Sequence, residues 1–525
     1  MPSRGSVSAA SKLMKFNTPQ PLWVLIASTV FGVVPFSVTL AQSSDPSLSP
    51  RLIIEEVAPL SVDVSGVDIR LLGSSSTPAA LVGDQMNASL ATSGSNGFLV
   101  WQDNAIDGDG LGIGTRFYNL QTGAANPKIL QVNQDPLFDQ ENAKVAALAN
   151  GMAIVVWQSG KSGNQSIKGR FLSRAGLPLA DEFTLAQGTV DSSKARPSVA
   201  ALLNNSFAVV WESTGPDGVS KKIHLQNFDA SGKSSSSLRV LGTSGDVDRL
   251  PSLTAHSDGS VSVAWVAEMA SRDVLNLGGE STRQEVNSDI FSQRVAADGK
   301  IGTLVWVNGA KSPCDAPSIA ALADHSVLVG WSEYSLSSSS GWDIRTTVVD
   351  SAGVILRSSS ALNTYRPFEQ VGLSFAKGSG EIMAVWNSRG ADGSGLSVVA
   401  RAIDLKGQPV GDEFIVNTTR LNDQMVPAAA PTPHGYRVVW SGLGGMESGV
   451  DLAAKDLRTI STVGRRSIKL SWDSIVGSKY TVQTSTDLNQ WQTWQVIPSA
   501  LSRQQSMTFD PSSVPNTYFR VKLDR

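Results

Sequence analysis

The chain has 525 residues, with 43 Lys and Arg against 46 Asp and Glu, a formal net charge of −3 and 41% hydrophobic residues. A slightly acidic balance excludes nucleic acid as the expected partner, because neutralising phosphates needs concentrated Lys and Arg. A single cysteine, Cys314, excludes an intramolecular disulfide, so stability must come from burial, for which the chain is long enough.

Residues 1–41 read as a secretory signal. Arg4, Lys12 and Lys15 supply the positive region, Leu22 to Val34 the apolar stretch, and Thr39-Leu40-Ala41 a small-residue cleavage site. The apolar run is about 13 residues and is stopped by Pro35, short of the roughly 20 that a spanning helix needs. Cleavage after Ala41 leaves 40 basic against 46 acidic residues in the mature chain. The expectation is therefore an exported bacterial protein, secreted or held at the cell surface or periplasm, monomeric and without a membrane span. Residues 42–67 read as an N-terminal linker.

From residue 68 to 460 the chain repeats. An apolar run ending in Trp recurs at Trp101, Trp157, Trp211, Trp265, Trp331, Trp386 and Trp440, with spacings of 56, 54, 54, 66, 55 and 54. A fixed period of this size marks a propeller or solenoid. Each unit holds four short strand-like runs separated by Gly, Ser, Asp and Pro; in the third unit these are 198–202, 207–211, 223–228 and 238–241. The first run is rich in small residues, as in Val145-Ala146-Ala147-Leu148 and Ile319-Ala320-Ala321-Leu322, which suits a crowded central axis. The second is apolar on both alternating faces, as a strand packed between two sheets must be.

A Gly follows the Trp by 19 to 22 residues in five units (Gly123, Gly176, Gly232, Gly353, Gly407), but Gly299 follows Trp265 by 34. The extra residues, roughly 268–288, read as a loop between the second and third strands of the fourth unit, either a tolerated surface loop or a ligand-contacting one. The seventh unit lacks its fourth strand, and residues 69–72 read as the strand that completes it and closes the ring, leaving no open sheet edge. The expected class is all-β: a seven-bladed β-propeller followed by a small β-sandwich over 461–525.

The repeats, with Val-Val-Trp, turns such as Ala391-Asp392-Gly393-Ser394-Gly395 and endings such as Gly411-Asp412-Glu413-Phe414-Ile415-Val416-Asn417, resemble those of large secreted bacterial proteins. That resemblance implies β-propellers of unassigned function. The tail, from Leu470-Ser471-Trp472 through Tyr480-Thr481-Val482-Gln483 to Tyr518-Phe519-Arg520-Val521, is similar to fibronectin type III-like C-terminal modules of exported proteins of Verrucomicrobia and Planctomycetes. Both resemblances imply structure and bring no catalytic residue.

Chemistry is thinly signalled. His224, His256, His325 and His434 lie in different units, with no metal-ligand or triad spacing. Asp103, Asp107 and Asp109 alternate around Gly108 and Gly110, a set of oxygens suited to Ca²⁺, although no bidentate Glu follows where an EF-hand needs one. An Asp-Gly hairpin turn explains the same residues. The expectation is a non-enzymatic binding or surface-interaction protein that recognises an extracellular glycan or protein through loops on one face. The alternative is a polysaccharide-active hydrolase or lyase with its site on the propeller axis.

Overall fold

The computed structural model describes residues 83–120, 128–242, 247–268, 288–309, 312–335, 341–443 and 449–461, with the strands Trp23–Leu25, Leu40–Ala41, Leu52–Val57, Leu60–Asp63, Ile69–Arg70 and Ser467–Asp473 and residues 475–485, 490–498, 504–509 and 518–524. The chain divides into two compact units, 60–460 and the pair of segments 1–59 with 461–525. Both are built of antiparallel strands, apart from one parallel bridge, Lys221 to Val247, in the larger unit. The one helical element among the described residues is a single 3-10 turn, Leu203–Asn205, and no helix is long and apolar enough to cross a membrane.

The larger unit consists of antiparallel sheets in chain order, each starting with a strand that also touches its neighbours' first strands. These first strands are Gln85–Ser93, Gln140–Ala147, Lys194–Ala201, Val247–Ala255, Cys314–Ala321, Gln370–Lys377 and Gln424–Thr432. Their contacts run in sequence, and the last returns to the first, so the set closes on itself. A complete sheet is the sixth: Gln370–Lys377, Glu381–Arg389, Leu396–Asp404 and Pro409–Ile415, paired in that order. The seventh takes its outer strands from the N-terminus. Ile69–Arg70 pairs with Ala453 and Ala454, and Leu60–Asp63 joins the same sheet.

Burial follows the ring. The second strands are wholly or almost wholly buried, with Trp101, Trp157, Trp265, Trp331 and Trp386 at 0% exposure. Each indole removes roughly 200 Å² from water, about 5 kcal/mol of transfer free energy. The cores lie between successive sheets, and one of them, containing Leu90, Trp101, Val439 and Leu452, joins the seventh sheet to the first. Turn glycines fix the spacing. Gly407 has φ of 81°, and a Cβ there would meet Val348 of the preceding sheet at 2.5 Å, so neither a side chain nor a right-handed backbone fits.

The structure adds three points to the sequence reading. The stretch 42–67 is no simple linker: Leu52–Val57 pairs with Ser467–Asp473 in the smaller unit, and Leu60–Asp63 belongs to the larger. Its run Leu52-Ile53-Ile54 is strand-forming, and a short terminal module gains a covered edge by recruiting it. The smaller unit is thus completed by its own N-terminal strand, with sheets 52–57/467–473/504–509 and 23–25/518–524/479–485/492–497. Of the leader, only Trp23–Leu25 and Leu40–Ala41 are described. The insertion joins strands Val261–Glu268 and Ser288–Val295, and its residues 269–287 lie outside the described residues.

Candidate functional site

Every first strand carries the same irregularity. Its register against the second strand shifts between residues 86 and 89, 141 and 144, 195 and 198, 249 and 252, 315 and 318, 371 and 374, and 425 and 428. Each shift sets two residues opposite one, and that one is the repeated Trp. The first residue of each bulge has a left-handed backbone: Asn87, Asn142, Arg196, Leu250, Ala316 and Val426 have φ between 50° and 54°, and Gly372 has 72°. A bulge re-aims the side chains beside it.

The consequence is a division of labour along the strand. Counted from Gln85, Gln140, Lys194, Asp248, Cys314, Gln370 and Gln424, the first and fourth residues are buried in all seven strands, while the second, third and fifth remain accessible. The outer edge of each first strand pairs with the second strand, and apart from one parallel bridge, Lys221 to Val247, the inner edges have no strand partner among the described residues, so the accessible positions line the inside of the ring.

The residue after the Trp secures the bulges. Gln102 accepts the backbone N–H of Asn142 at 2.9 Å, Gln158 that of Arg196 at 2.8 Å, Glu212 that of Leu250 at 2.8 Å and Asn387 that of Val426 at 2.9 Å. Each bond reaches into the next sheet, so the Trp motif sets both a core and the geometry of the lining. A second device is the Asn ending the fourth strand. Asn417 accepts from the Val398 N–H at 2.8 Å and donates to Asp392 at 2.9 Å, to the Thr419 carbonyl at 2.8 Å and to Gln424 at 3.1 Å. Asn133, Asn308 and Asn363 accept from the third strand in the same way.

The lining is uneven around the ring. At the second and third positions, where the first strands begin, the second to fifth sheets place Glu141, Arg196, Arg249 and Asp315. The sixth, seventh and first place Val371, Gly372, Met425, Val426, Met86 and Asn87. The charged arc is held by its own and neighbouring side chains. Arg249 bonds Glu268, at the root of the insertion, and Asp315 at 3.0 Å. Burial works against the Arg249 charge, but Asp315 and Glu268 outweigh it and hold its pKa above the usual value. Buried Glu212 meets Lys221 at 3.1 Å and Arg196 at 3.6 Å. Glu141 accepts from Gln158 at 2.7 Å and Gln165 at 3.3 Å.

The connections that deliver the chain into the first strands lie at this same end, as do the turns between second and third strands. Two of them expose aromatic rings. Phe138 is 52% exposed and Phe368 59%, both with φ of 63°, a conformation costly for a bulky residue. The equivalent residue before Asp423-Gln424 is Asn422, φ 66°, which tolerates that backbone. Asp109 accepts the Phe138 N–H at 3.1 Å, and Gln140 donates to the Phe138 carbonyl at 3.0 Å, so the strained loop is pinned from both sides. Leu137, Leu421 and Val426 add exposed apolar surface.

The sequence-predicted calcium residues are scaffolding for this loop. Asp103 accepts from the Trp101 indole at 3.1 Å and the Ala105 N–H at 3.0 Å. Asp107 accepts from Asn133 at 2.8 Å, and Asp109 from Phe138. They are not brought together: among the described residues no three His, Cys, Asp or Glu converge as a metal site. Cys314 is buried and burial raises its thiol pKa; its Sγ donates to the Ser312 carbonyl at 3.2 Å.

Sequence reasoning missed two clusters. Lys194 takes the place that Gln holds in four other first strands, and its Nζ donates to two hydroxyls, Ser192 at 2.5 Å and Ser213 at 2.8 Å. At the opposite end of the ring, His256 and His325 of adjacent sheets stand 6.1 Å apart beside Asp258, which Arg294 contacts at 2.5 Å. Burial lowers the His256 pKa to about 4, and burial with nearby Lys194 does the same for His224. Only the spacing of one histidine per unit hinted that two could meet.

No family model matches the chain and no curated protein matches it. Among solved structures it is similar to the β-propeller domain of the Trilobed protease from Pyrococcus furiosus, at 12% identity and TM-score 0.40 over 76% of this chain and 95% of that one. It is also similar to a polysaccharide lyase, at 10% identity and TM-score 0.44 over 73% and 90%. An α-L-arabinanase of Penicillium chrysogenum in complex with arabinobiose aligns at 13% identity and TM-score 0.40 over 60% and 93%. Likeness at this level leaves the description of the fold resting on the chain's own sheet topology and says nothing about its activity.

Proposed function

We propose that residues 60–460 form a seven-bladed β-propeller, that 461–525 with the strand Leu52–Val57 form a fibronectin III-like sandwich, and that the exported protein binds an extracellular glycan without turning it over. The ligand would sit at the end of the ring where the first strands begin. The observation that carries this reading is the pair of exposed rings, Phe138 and Phe368, held at φ of 63° where the repeat elsewhere accepts Asn. Keeping a bulky residue in that conformation costs stability, and strain of this kind is retained where the surrounding structure exploits it.

The chemistry suits a sugar. A pyranose has apolar C–H faces that lie on an aromatic ring with good dispersion contact, and a hydroxyl rim that needs paired donors and acceptors. Phe138, Phe368 and the apolar arc supply the first, and Glu141, Arg249 and Asp315 the second. Paired charges on a rigid support keep ordering costs small. The alternative, a hydrolase or lyase, is favoured by the same carboxylates, because Arg249 holds Glu268 and Asp315 together and Glu141 lies at the same end of the ring.

The discriminating experiment incubates residues 42–525 with immobilised extracellular polysaccharides and measures retained protein and released sugar ends together. Saturable retention without product, weakened at least tenfold in a Phe138→Ala, Phe368→Ala variant that still folds, is the expected result. Product formation would replace the binder with the enzyme. No retention on any polysaccharide would remove the glycan.

A further inference from the structure

A turn glycine between the third and fourth strands of one sheet seats against the sheet before it. Gly176 lies on Phe117, Gly232 on Phe183, Gly353 on Thr303 and Gly407 on Val348. Between the third and fourth sheets this joint is not filled. The third strand there, Lys221–Phe228, carries Asn227 opposite Ala208, three residues before Trp211. At the same register the first, second and fifth sheets carry Phe117, Phe171 and Val348. The fourth strand is cut to Arg239–Leu241, against six to nine residues in the second, fourth, fifth and sixth sheets. Before it runs Ser234-Ser235-Ser236-Ser237, and serine competes with strand pairing by bonding nearby backbone. Ser234 Oγ donates to the Ser236 carbonyl at 2.9 Å, and Ser236 Oγ to that of Ser237 at 3.2 Å.

The result is a cavity of about 330 Å³ bounded by the turns at Gly259 and Gly299, at the end of the ring opposite the mouth. That volume falls in the range of small-ligand sites. The buried part of its lining is apolar: Leu225, Val261 and Val295. The accessible part is polar and has bonding capacity to spare. Arg239 donates from Nε to the Gly299 carbonyl at 2.7 Å and from Nη1 to the Ser237 carbonyl at 2.8 Å. Among the described residues it forms no ion pair, and its Nη2 has no partner. The bond to the turn is scaffolding, since Arg357 donates to Gly407 at 2.5 Å in the same way, but there Val348 fills the joint. Asn227 and Ser235 bond only through their backbones, which leaves an amide and a hydroxyl. Asp298 accepts the Lys300 N–H at 2.9 Å through Oδ1, which leaves Oδ2.

We infer that this cavity is a binding site for a short neutral saccharide. Each sugar hydroxyl both donates and accepts, so it needs a mixed wall, and here Arg239 Nη2 donates, Asp298 accepts, and Asn227 and Ser235 do both. A wall of one charge would select an ion, whereas Arg239 and Asp298 carry opposite charges. The apolar floor suits the C–H face of a sugar ring. The class of ligand rests on the proposed glycan binding, to which this adds a second site. Sites at opposite ends of a ring would bridge two glycan strands rather than grip one twice.

The test titrates the mature chain with glucose, xylose, galactose and cellobiose, and with L-serine as a zwitterionic control. It follows heat and the amide hydrogen exchange of the cavity-lining segments 225–239 and 295–299. The expected result is binding of at least one of the sugars, with protection confined to those segments. Asn227→Val installs the side chain found at position 348 and should fold accordingly; it should weaken binding about tenfold or more. Ser235→Ala, at an exposed position, should weaken it less. No sugar bound, or sugar binding unchanged in both variants, would overturn the site. L-Serine binding without sugar binding would overturn its assignment to saccharides. The Phe138→Ala, Phe368→Ala variant should keep this binding while losing retention on polysaccharides, so failure here and failure at the mouth are distinguishable.

Discussion

The second strands and the first strands of the same ring obey opposite rules. Across the seven second strands the residues barely change in character: an apolar run, then a buried Trp, then in four sheets a polar side chain that holds the next sheet's bulge. Along the first strands the buried positions are just as constrained, while the accessible second, third and fifth positions range from Glu141 and Arg249 to Val371 and Met425. A repeat protein shows its scaffold where its units agree. Its specificity lies where they differ, and here the differences collect on the inner lining and the loops above it.

Breaking the uniform side should have the largest effect. Trp386→Ala removes a fully buried indole between the fifth and sixth sheets and should cost about 3–5 kcal/mol in urea unfolding. Asn417→Ala leaves the Val398 N–H and the Gln424 side-chain oxygen without their Asn417 partner and should cost about 1–3 kcal/mol by the same measurement. An effect near that of a neutral surface substitution at either position would contradict the account of the scaffold.

A pH-dependent effect comes next. His224 and His256 ionise at about 4 in the folded chain, from a usual 6.5, because burial disfavours the imidazolium. The unfolded chain therefore takes up these protons first. Stability is retained above 6.5 and falls as the pH drops from 6.5 towards 4. Thermal unfolding in that window should show the loss, and a His224→Gln, His256→Gln chain should show less of it. The same slope in both proteins would assign the loss to other groups.

On the variable side the effects on stability should be small and of the opposite sign. Phe138→Asn, the residue used at position 422, relieves a left-handed bulky residue and should raise stability by up to about 1 kcal/mol while weakening ligand retention. Loss of stability with retention intact would mean that the ring is part of the core and has no role in binding.

Much of the scaffold was legible because it recurs. The Trp spacing, the turn glycines and the small first runs are local signals, and even the strand near 69–72 could be read from the unit it would complete. Less legible was the role of Leu52–Val57, whose partner lies more than 400 residues away in Ser467–Asp473. The candidate site was hidden for a physical reason. Arg249 and Asp315 become neighbours only through the order of the first strands, and the exposure of Phe138 depends on a backbone conformation that its sequence disfavours. The Asp103, Asp107, Asp109 pattern reads two ways, because Asp-Gly spacing describes a pinned turn as well as it describes a metal loop.

Retention of the mature chain on immobilised polysaccharides, with released sugar ends assayed in the same wells, tests the central claim most directly. Saturable retention without product that falls in the Phe138→Ala, Phe368→Ala variant is the expected result. Sugar release by the wild-type chain, or retention indifferent to both phenylalanines, would contradict it.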